Sequence, residues 1–396
     1  MAARRPNGIM AVSVTQPPND LVDLLNARAL HEGERVAYTF LEDGRTETGS
    51  LTYGELDRAA RRIAAWLLDH ADRGDRALLI YPPGLEFLKA FFGCLYAGVI
   101  AVPLYPPRRN RIDQRIESVG ADAQATVALT TTQILFDMQR RVENARALEQ
   151  IPWRATDKED VAERDAEFQP EASTIAFLQY TSGSTAAPKG VMVSHANLID
   201  NLAAIDQCGQ HSTDSVMVSW LPVFHDMGLV YGILQPLFNG FRCYFMPSAV
   251  LFQQPIRWLE AISRYRGTHS AAPNFAYDLC AQNVKPEQLA LLDLSSWLVG
   301  LNGAEPLRET TLTRFDETFR GCGLRPHTIC PGYGLAEATL AVGVVRRSTP
   351  AGVCTLSARS LADNLVEEVS REDAQAQTLV SSGPPSPGTR IEIIDP

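Results

Sequence analysis

A chain of 396 residues, 45% hydrophobic and 21% charged, can bury a substantial core, which rules out a disordered chain or a small disulfide scaffold. Dividing by roughly 150 residues per domain gives two or three lobes. Thirty-six Lys and Arg against 46 Asp and Glu leave a formal net charge of −10, so a phosphate-backbone surface is not expected and nucleic acid is disfavoured as a partner. The seven cysteines contain no CxxC pair, which argues against a zinc site or disulfide framework and fits a reducing, cytoplasmic setting.

Residues 1–20, with two arginines and no apolar run of signal-peptide length, read as a frayed leader. From about residue 77, short apolar runs alternate with helical patterns, the signature of βαβ units and a parallel sheet. Strands are expected at 77–81, 99–104 and 125–129, with helices at 85–97, 112–119 and 132–148. The apolar run 87–105 is long enough to suggest a membrane span, but Lys89 lies inside it and Pro103 breaks it, so it reads as a buried helix followed by a buried strand. An acidic stretch at 156–172 reads as a surface excursion.

A second series follows the strand 174–180. Strands are expected at 215–221, 242–246, 268–272, 297–301 and 327–330, separated by helices at 197–205, 227–238, 255–265, 275–283 and 308–319. After about residue 340, short apolar runs and an acidic segment at 360–377 lead to SSGPPSPG (381–388), which reads as the start of a β-rich lobe. The expected fold is therefore α/β. It has two doubly wound sheets flanked by helices, cut as 21–175 and 176–340, and a partial β-barrel-like subdomain at 341–396.

The most informative stretch is YTSGSTAAPKG (180–190), a loop between strand-like runs. Gly183 can take backbone angles closed to other residues, the hydroxyls of Thr181, Ser182, Ser184 and Thr185 add donors, and Lys189 supplies positive charge, so the loop can cradle an anion. A flexible Gly/Ser linker is the bland alternative. The stretch is not a Walker A loop, because Lys189 is followed by Gly190 and not by a hydroxyl residue.

This stretch resembles the phosphate-binding signature of the adenylate-forming superfamily of acyl-CoA synthetases, luciferases and adenylation domains. LPVFHDMG (221–228), NGAEPL (302–307) and GYGLAEAT (332–339) follow in that superfamily's order, with LTYGEL (51–56) before them and SSGPPSPG after. The wording AFFGCLYAGVIAVPLYPPRRNR, QYTSGST, HDMGLV and YGLAEATL is similar to the fatty acyl-AMP ligases in particular. The resemblance implies that ATP activates a fatty acid to acyl-AMP, releasing pyrophosphate, and that the acyl group passes to an acyl carrier protein in lipid or polyketide biosynthesis.

By that resemblance, Thr181, Ser182, Gly183, Ser184, Thr185 and Lys189 would hold the phosphates, and Glu337 would coordinate Mg²⁺, a hard cation suited to a carboxylate. Taken alone, Glu337 is an ordinary acid at a helix start. Tyr333, with Gly334 beside it, would stack on adenine, and Asn302, Gly303, Ala304 and Glu305 would line the purine's other side. Ala336 replaces the superfamily's frequent threonine, so one hydroxyl contact to the phosphate is missing or supplied elsewhere. His225 would sit where carboxylate meets nucleotide and shape the mouth of an acyl tunnel without acting as a base. Taken alone, it is a helix-start histidine. Met227 and Tyr231 are tunnel candidates, with core packing an equal alternative. Asp226 follows a histidine and not the phenylalanine of amino-acid-activating relatives, so an uncharged acyl tail is expected.

The segment at about 355–379 matches in place an insertion of fatty acyl-AMP ligases that is associated with disfavouring CoA use. Its Leu361, Leu365, Val366 and Val369 recur at helical spacing, which predicts a face that docks on the body; a solvated surface helix is the alternative. The family's ribose-binding aspartate, hinge and small C-terminal domain with its lysine do not occur before Pro396. The chain is therefore expected to be an N-terminal part with weak activity alone. Two rival readings are a fatty acyl-CoA ligase of the same fold and a non-catalytic nucleotide- or acyl-binding module.

Overall fold

The computed structural model describes residues 18–107, 114–139, 151–158, 162–164, 168–181 and 188–394. Two sheets organise them. The six-stranded sheet runs Trp153–Ala155, Val127–Thr130, Arg76–Ile80, Ile100–Leu104, Ile175–Thr181, Lys189–Ser194, all parallel except the last, which turns back antiparallel on Ile175–Thr181. Its central strands are buried along almost their whole length, as expected where helices cover both faces of a parallel sheet.

The eight-stranded sheet runs Ala341–Val344, Ile329–Gly334, Val299–Asn302, His269–Ala272, Val216–Ser219, Arg242–Phe245, Val36–Leu41, Glu47–Thr52. The two edge strands are antiparallel to their neighbours and the interior is parallel. Sheet membership does not follow a cut at residue 175. Val36–Leu41 pairs in parallel with Arg242–Phe245 far along the chain, while the hairpin 175–194 closes the other sheet. A strand pairing across some 200 residues leaves no local trace in the sequence, and the Val36–Thr52 hairpin has no counterpart among the predicted elements.

The predicted buried helix and strand occur as Leu85–Ala97 and Ile100–Leu104, and no described helix is long and apolar enough to cross a membrane. Leu85–Ala97 packs on Tyr53–Leu68, which starts at a capping box between Thr52 and Glu55. The helices approach closely at Gly93, where a Cβ would lie 2.6 Å from the Ile63 side chain. Beside the eight-stranded sheet, Trp258 is fully buried within 5.3–6.1 Å of the Tyr277, Trp297 and Trp220 rings, and its Nε1–H donates to Ser270 Oγ at 2.9 Å.

After residue 344, Val353–Ser357 pairs antiparallel with Ala376–Val380 as a two-stranded ribbon, and the described residues form no closed barrel. The expected docking helix is corrected by the structure. Only Ala358–Ala362 is helical, and Leu365 and Val366 are 62% and 79% exposed. Asn364 takes a left-handed φ of 58° that stops the helix, and the chain then returns to the ribbon through Ser357 N–H to Glu367 O and Val369 N–H to Thr355 O. Helical spacing was present, but the backbone donors found strand partners.

Trp258→Ala removes the ring shared by this aromatic cluster and is expected to cost about 3–5 kcal/mol in urea unfolding. A loss below about 1 kcal/mol would show that the cluster collapses around the gap.

Candidate active site

The carboxyl ends of the parallel strands converge on two cavities, the position at which open α/β sheets bind ligands. The first, about 190 Å³, is mainly apolar. His225, Met227 and Tyr231 line one side, Gly303, Ala304, Tyr333 and Gly334 another, and the end of the helix His195–Gly209, at Ile205, Cys208 and Gly209, a third. The second is a polar groove that holds Glu337 beside Asn197, Asp200 and Thr389.

His225 and Met227 are placed by the turn after Val216–Ser219. Gln179 Nε2 donates to Phe224 O at 2.8 Å, tying this turn to the strand Ile175–Thr181. His225 Nδ1 lies 2.6 Å from Asp226 Oδ1, and the same carboxylate oxygen accepts from Met227 N–H at 2.6 Å. This hydrogen bond is the main cause that holds the His225 pKa above its ordinary value, against partial burial. The expected helix at 227–238 is a π-helix over Met227–Leu234 followed by an α-turn at Gln235–Asn239, a local widening common at functional sites. A Cβ on Gly228 would stand 2.0 Å from Pro222 O, so the HDMG turn closes only around glycine.

The strand Val299–Asn302 delivers Gly303 and Ala304 to the cavity, and Ala304 sits at φ 66°, a left-handed conformation uncommon for L-residues. The structure separates the other two residues of that group. Asn302 is fully buried, with Nδ2 donating to Asn274 Oδ1 at 3.4 Å, and Glu305 Oε1 accepts from Phe275 N–H at 2.5 Å. Neither side chain lines the cavity. Tyr333, 55% exposed, stands at the rim.

Thr181 and Lys189 pair directly across the hairpin, so Lys189 stands at the mouth of the phosphate-like loop with its side chain in solvent. Ser182, Gly183, Ser184 and Thr185 lie outside the described residues. Among the described residues no three His, Cys, Asp or Glu cluster as a metal site. Ile205, Cys208 and Gly209 carry no motif, and only the packing of their helix against the loop strands brings them to the cavity. Amphipathic spacing in 197–205 could have marked a buried face, but not what that face meets.

A match to the family described as AMP-binding enzyme spans residues 25–396. The medium-chain-fatty-acid–[acyl-carrier-protein] ligase JamA of Moorena producens is 44% identical over 384 residues, 95% of this chain and 65% of that protein. A 4-hydroxyphenylalkanoate adenylyltransferase of Mycobacterium marinum is 36% identical over 403 residues, 98% of this chain and 64% of that protein. The crystal structure of a fatty acyl-adenylate ligase from L. pneumophila in complex with acyl adenylate and pyrophosphate matches with a TM-score of 0.86 and 38% identity, over 93% of this chain and 64% of that one. The chain thus spans less than two thirds of the length of these relatives. The order of the loop motifs, the two-sheet fold and this family match agree, and the chain belongs to the AMP-binding enzyme family.

Proposed function

We propose that this chain activates a fatty acid with ATP, forming acyl-AMP and pyrophosphate, for transfer to an acyl carrier protein. One observation carries the reading. The loop 334–341 has a mainly apolar cavity on one side and a polar groove on the other, so a ligand with an apolar tail and a nucleotide would meet at this loop. The relatives include proteins named for fatty acid ligation to a carrier and for acyl-adenylate binding.

In the reaction a carboxylate oxygen bonds to the α-phosphorus, the bond from that phosphorus to the bridging oxygen breaks, and pyrophosphate leaves with the electron pair. The carboxylate is already ionised near pH 7, so no general base is required. The chain's work is positioning and charge stabilisation. The cavity end near Cys208 and Tyr231 would hold the tail. Tyr333 would stack on the purine, with the backbone of Gly303 and Ala304 on its other side and Asn302 and Glu305 supporting that backbone from behind. Asp226 is engaged by His225 and Met227 N–H, which leaves it a poor partner for a substrate ammonium and favours an uncharged tail.

Thr181 and Lys189, with Ser182 to Thr185 between them, would bind the phosphates. The donor set fits Mg²⁺, since Glu337 presents a carboxylate in a polar groove and this ion commonly takes one or two protein carboxylates, waters and phosphate oxygens. Bound there, the ion would neutralise charge on the departing pyrophosphate.

Lys189→Ala and Glu337→Ala are each expected to lower fatty-acid-dependent ATP–pyrophosphate exchange by on the order of 10²–10³-fold, with unchanged melting. Normal exchange in both would refute the site. With both acceptors offered, mass spectrometry should find the acyl group on a holo carrier protein. Robust acyl-CoA formation would instead favour a CoA ligase.

His225 also gives a pH prediction. Its pKa is held above the ordinary value near 6.5 chiefly by the hydrogen bond to Asp226, so the imidazolium persists past that value and is lost only as pH rises through the raised pKa. Exchange should fall on the alkaline side as this cation beside the reacting oxygens is neutralised. Asp226→Asn keeps an acceptor for Met227 N–H but removes the negative charge, so the fall should move to lower pH. Superimposable alkaline limbs would show that the charge of His225 plays no part.

A further inference from the structure

The loop between the strands Ile329–Gly334 and Ala341–Val344 contains an unusual turn. Leu340 N–H donates to Ala338 O at 2.8 Å, closing a three-residue ring around Thr339, whose φ of 70° and ψ of −57° define the rare, strained hand of the γ-turn. A β-branched residue is poorly suited to positive φ. Such a conformation persists only where its surroundings over-determine it.

The loop's own backbone closes it, with Thr339 N–H donating to Ala336 O at 2.9 Å and Leu335 N–H to Leu340 O at 3.0 Å, and one side chain grips it from outside. Asn201, half-buried on the helix His195–Gly209, donates from Nδ2 to Ala338 O at 3.4 Å and to Ala341 O at 3.1 Å, and its Oδ1 accepts from Ala341 N–H at 3.1 Å. The amide therefore acts like an extra peptide unit. It takes both backbone groups of Ala341 on the side away from Gly334 and also grips the carbonyl that opens the turn. Glu337 immediately precedes Ala338 and lines the groove with Asn197 and Asp200 of the same helix. That helix follows directly on the strand Lys189–Ser194.

We infer that Asn201 is a positioning residue: it holds the strained turn at Thr339 and so registers the Glu337 carboxylate against the strand that begins at Lys189. The inference rests on the proposed role of Glu337 as the metal carboxylate. Asn201 lines the same groove as Glu337, but both ends of its amide are engaged by the loop backbone.

The test uses the full chain with Asn201→Ala, Asn201→Asp, the double variant Asn201→Ala/Thr339→Gly, and Glu337→Gln as reference. Asn201→Asp keeps the acceptor for Ala341 N–H and serves if the alanine variant folds poorly. Asn201→Ala is expected to raise the Mg²⁺ concentration for half-maximal exchange about tenfold while the fatty acid KM stays within about twofold. Calorimetry should give a matching weakening of ATP binding in Mg²⁺ and little change without it. Deuterium uptake at the Ala341 amide should accelerate.

Thr339→Gly added to Asn201→Ala should recover most of the Mg²⁺ requirement, because glycine takes positive φ without the side-chain penalty. An unchanged Mg²⁺ requirement in folded Asn201→Ala or Asn201→Asp, with Glu337→Gln impaired, overturns the inference. A Glu337→Gln protein with unaltered Mg²⁺ dependence overturns the metal assignment instead.

Discussion

The site depends on how tightly the chain can turn back on itself between Gly334 and Ala341. A Cβ on Gly334 would stand 2.0 Å from Leu340 O, and one on Gly303 would stand 2.8 Å from Gly332 O. Backbone approaches backbone at these points with no room for a side chain. Leu335 N–H closes the loop on Leu340 O at 3.0 Å. The thinness of this partition lets a mainly apolar cavity and a polar groove share one wall. A looser turn would separate the chemistry in the two spaces by the width of a side chain.

That shared wall also divides the electrostatics. On the cavity side, His225 and Asp226 neutralise one another next to otherwise uncharged lining residues, so an apolar tail can enter without leaving a buried charge unpaired. On the groove side, Glu337 and Asp200 face solvent, where a carboxylate can share a cation with phosphate oxygens. In the proposed function each environment would take a different part of one ligand, with the reacting atoms between them. The helix His195–Gly209 serves both sides, lining the groove between Asn197 and Gln207 and the cavity at Ile205, Cys208 and Gly209.

Much of the site was legible because its loops need particular residue types. Gly228 and Gly334 are dictated by contacts that no other residue survives, so HDMG and GYG stand out as motifs. The predicted strands and helices from residue 76 onward mostly stand within a few residues of their expected places, since strand and helix periods are local properties. Three features depended on more than local pattern. The side chains of Asn302 and Glu305 share a motif with Gly303 and Ala304 but turn to Asn274 and Phe275. The apolar spacing of 361–369 resembles a helix but feeds a ribbon. Asn201 has no motif at all, and its role exists only through the loop it grips.

The sequence alone determined the α/β class, the order of the loops and the residue types that carry charge, hydroxyls and glycine at the strand ends. These follow from short-range constraints of backbone geometry and side-chain chemistry. The tertiary structure alone decided that Val36–Thr52 joins the far sheet, that Cys208 and Tyr231 face one cavity, and that Asn201 hydrogen-bonds the loop beside Glu337. Those outcomes depend on pairing and packing between segments distant in sequence, where many partners satisfy the same local pattern and only the assembled core selects one.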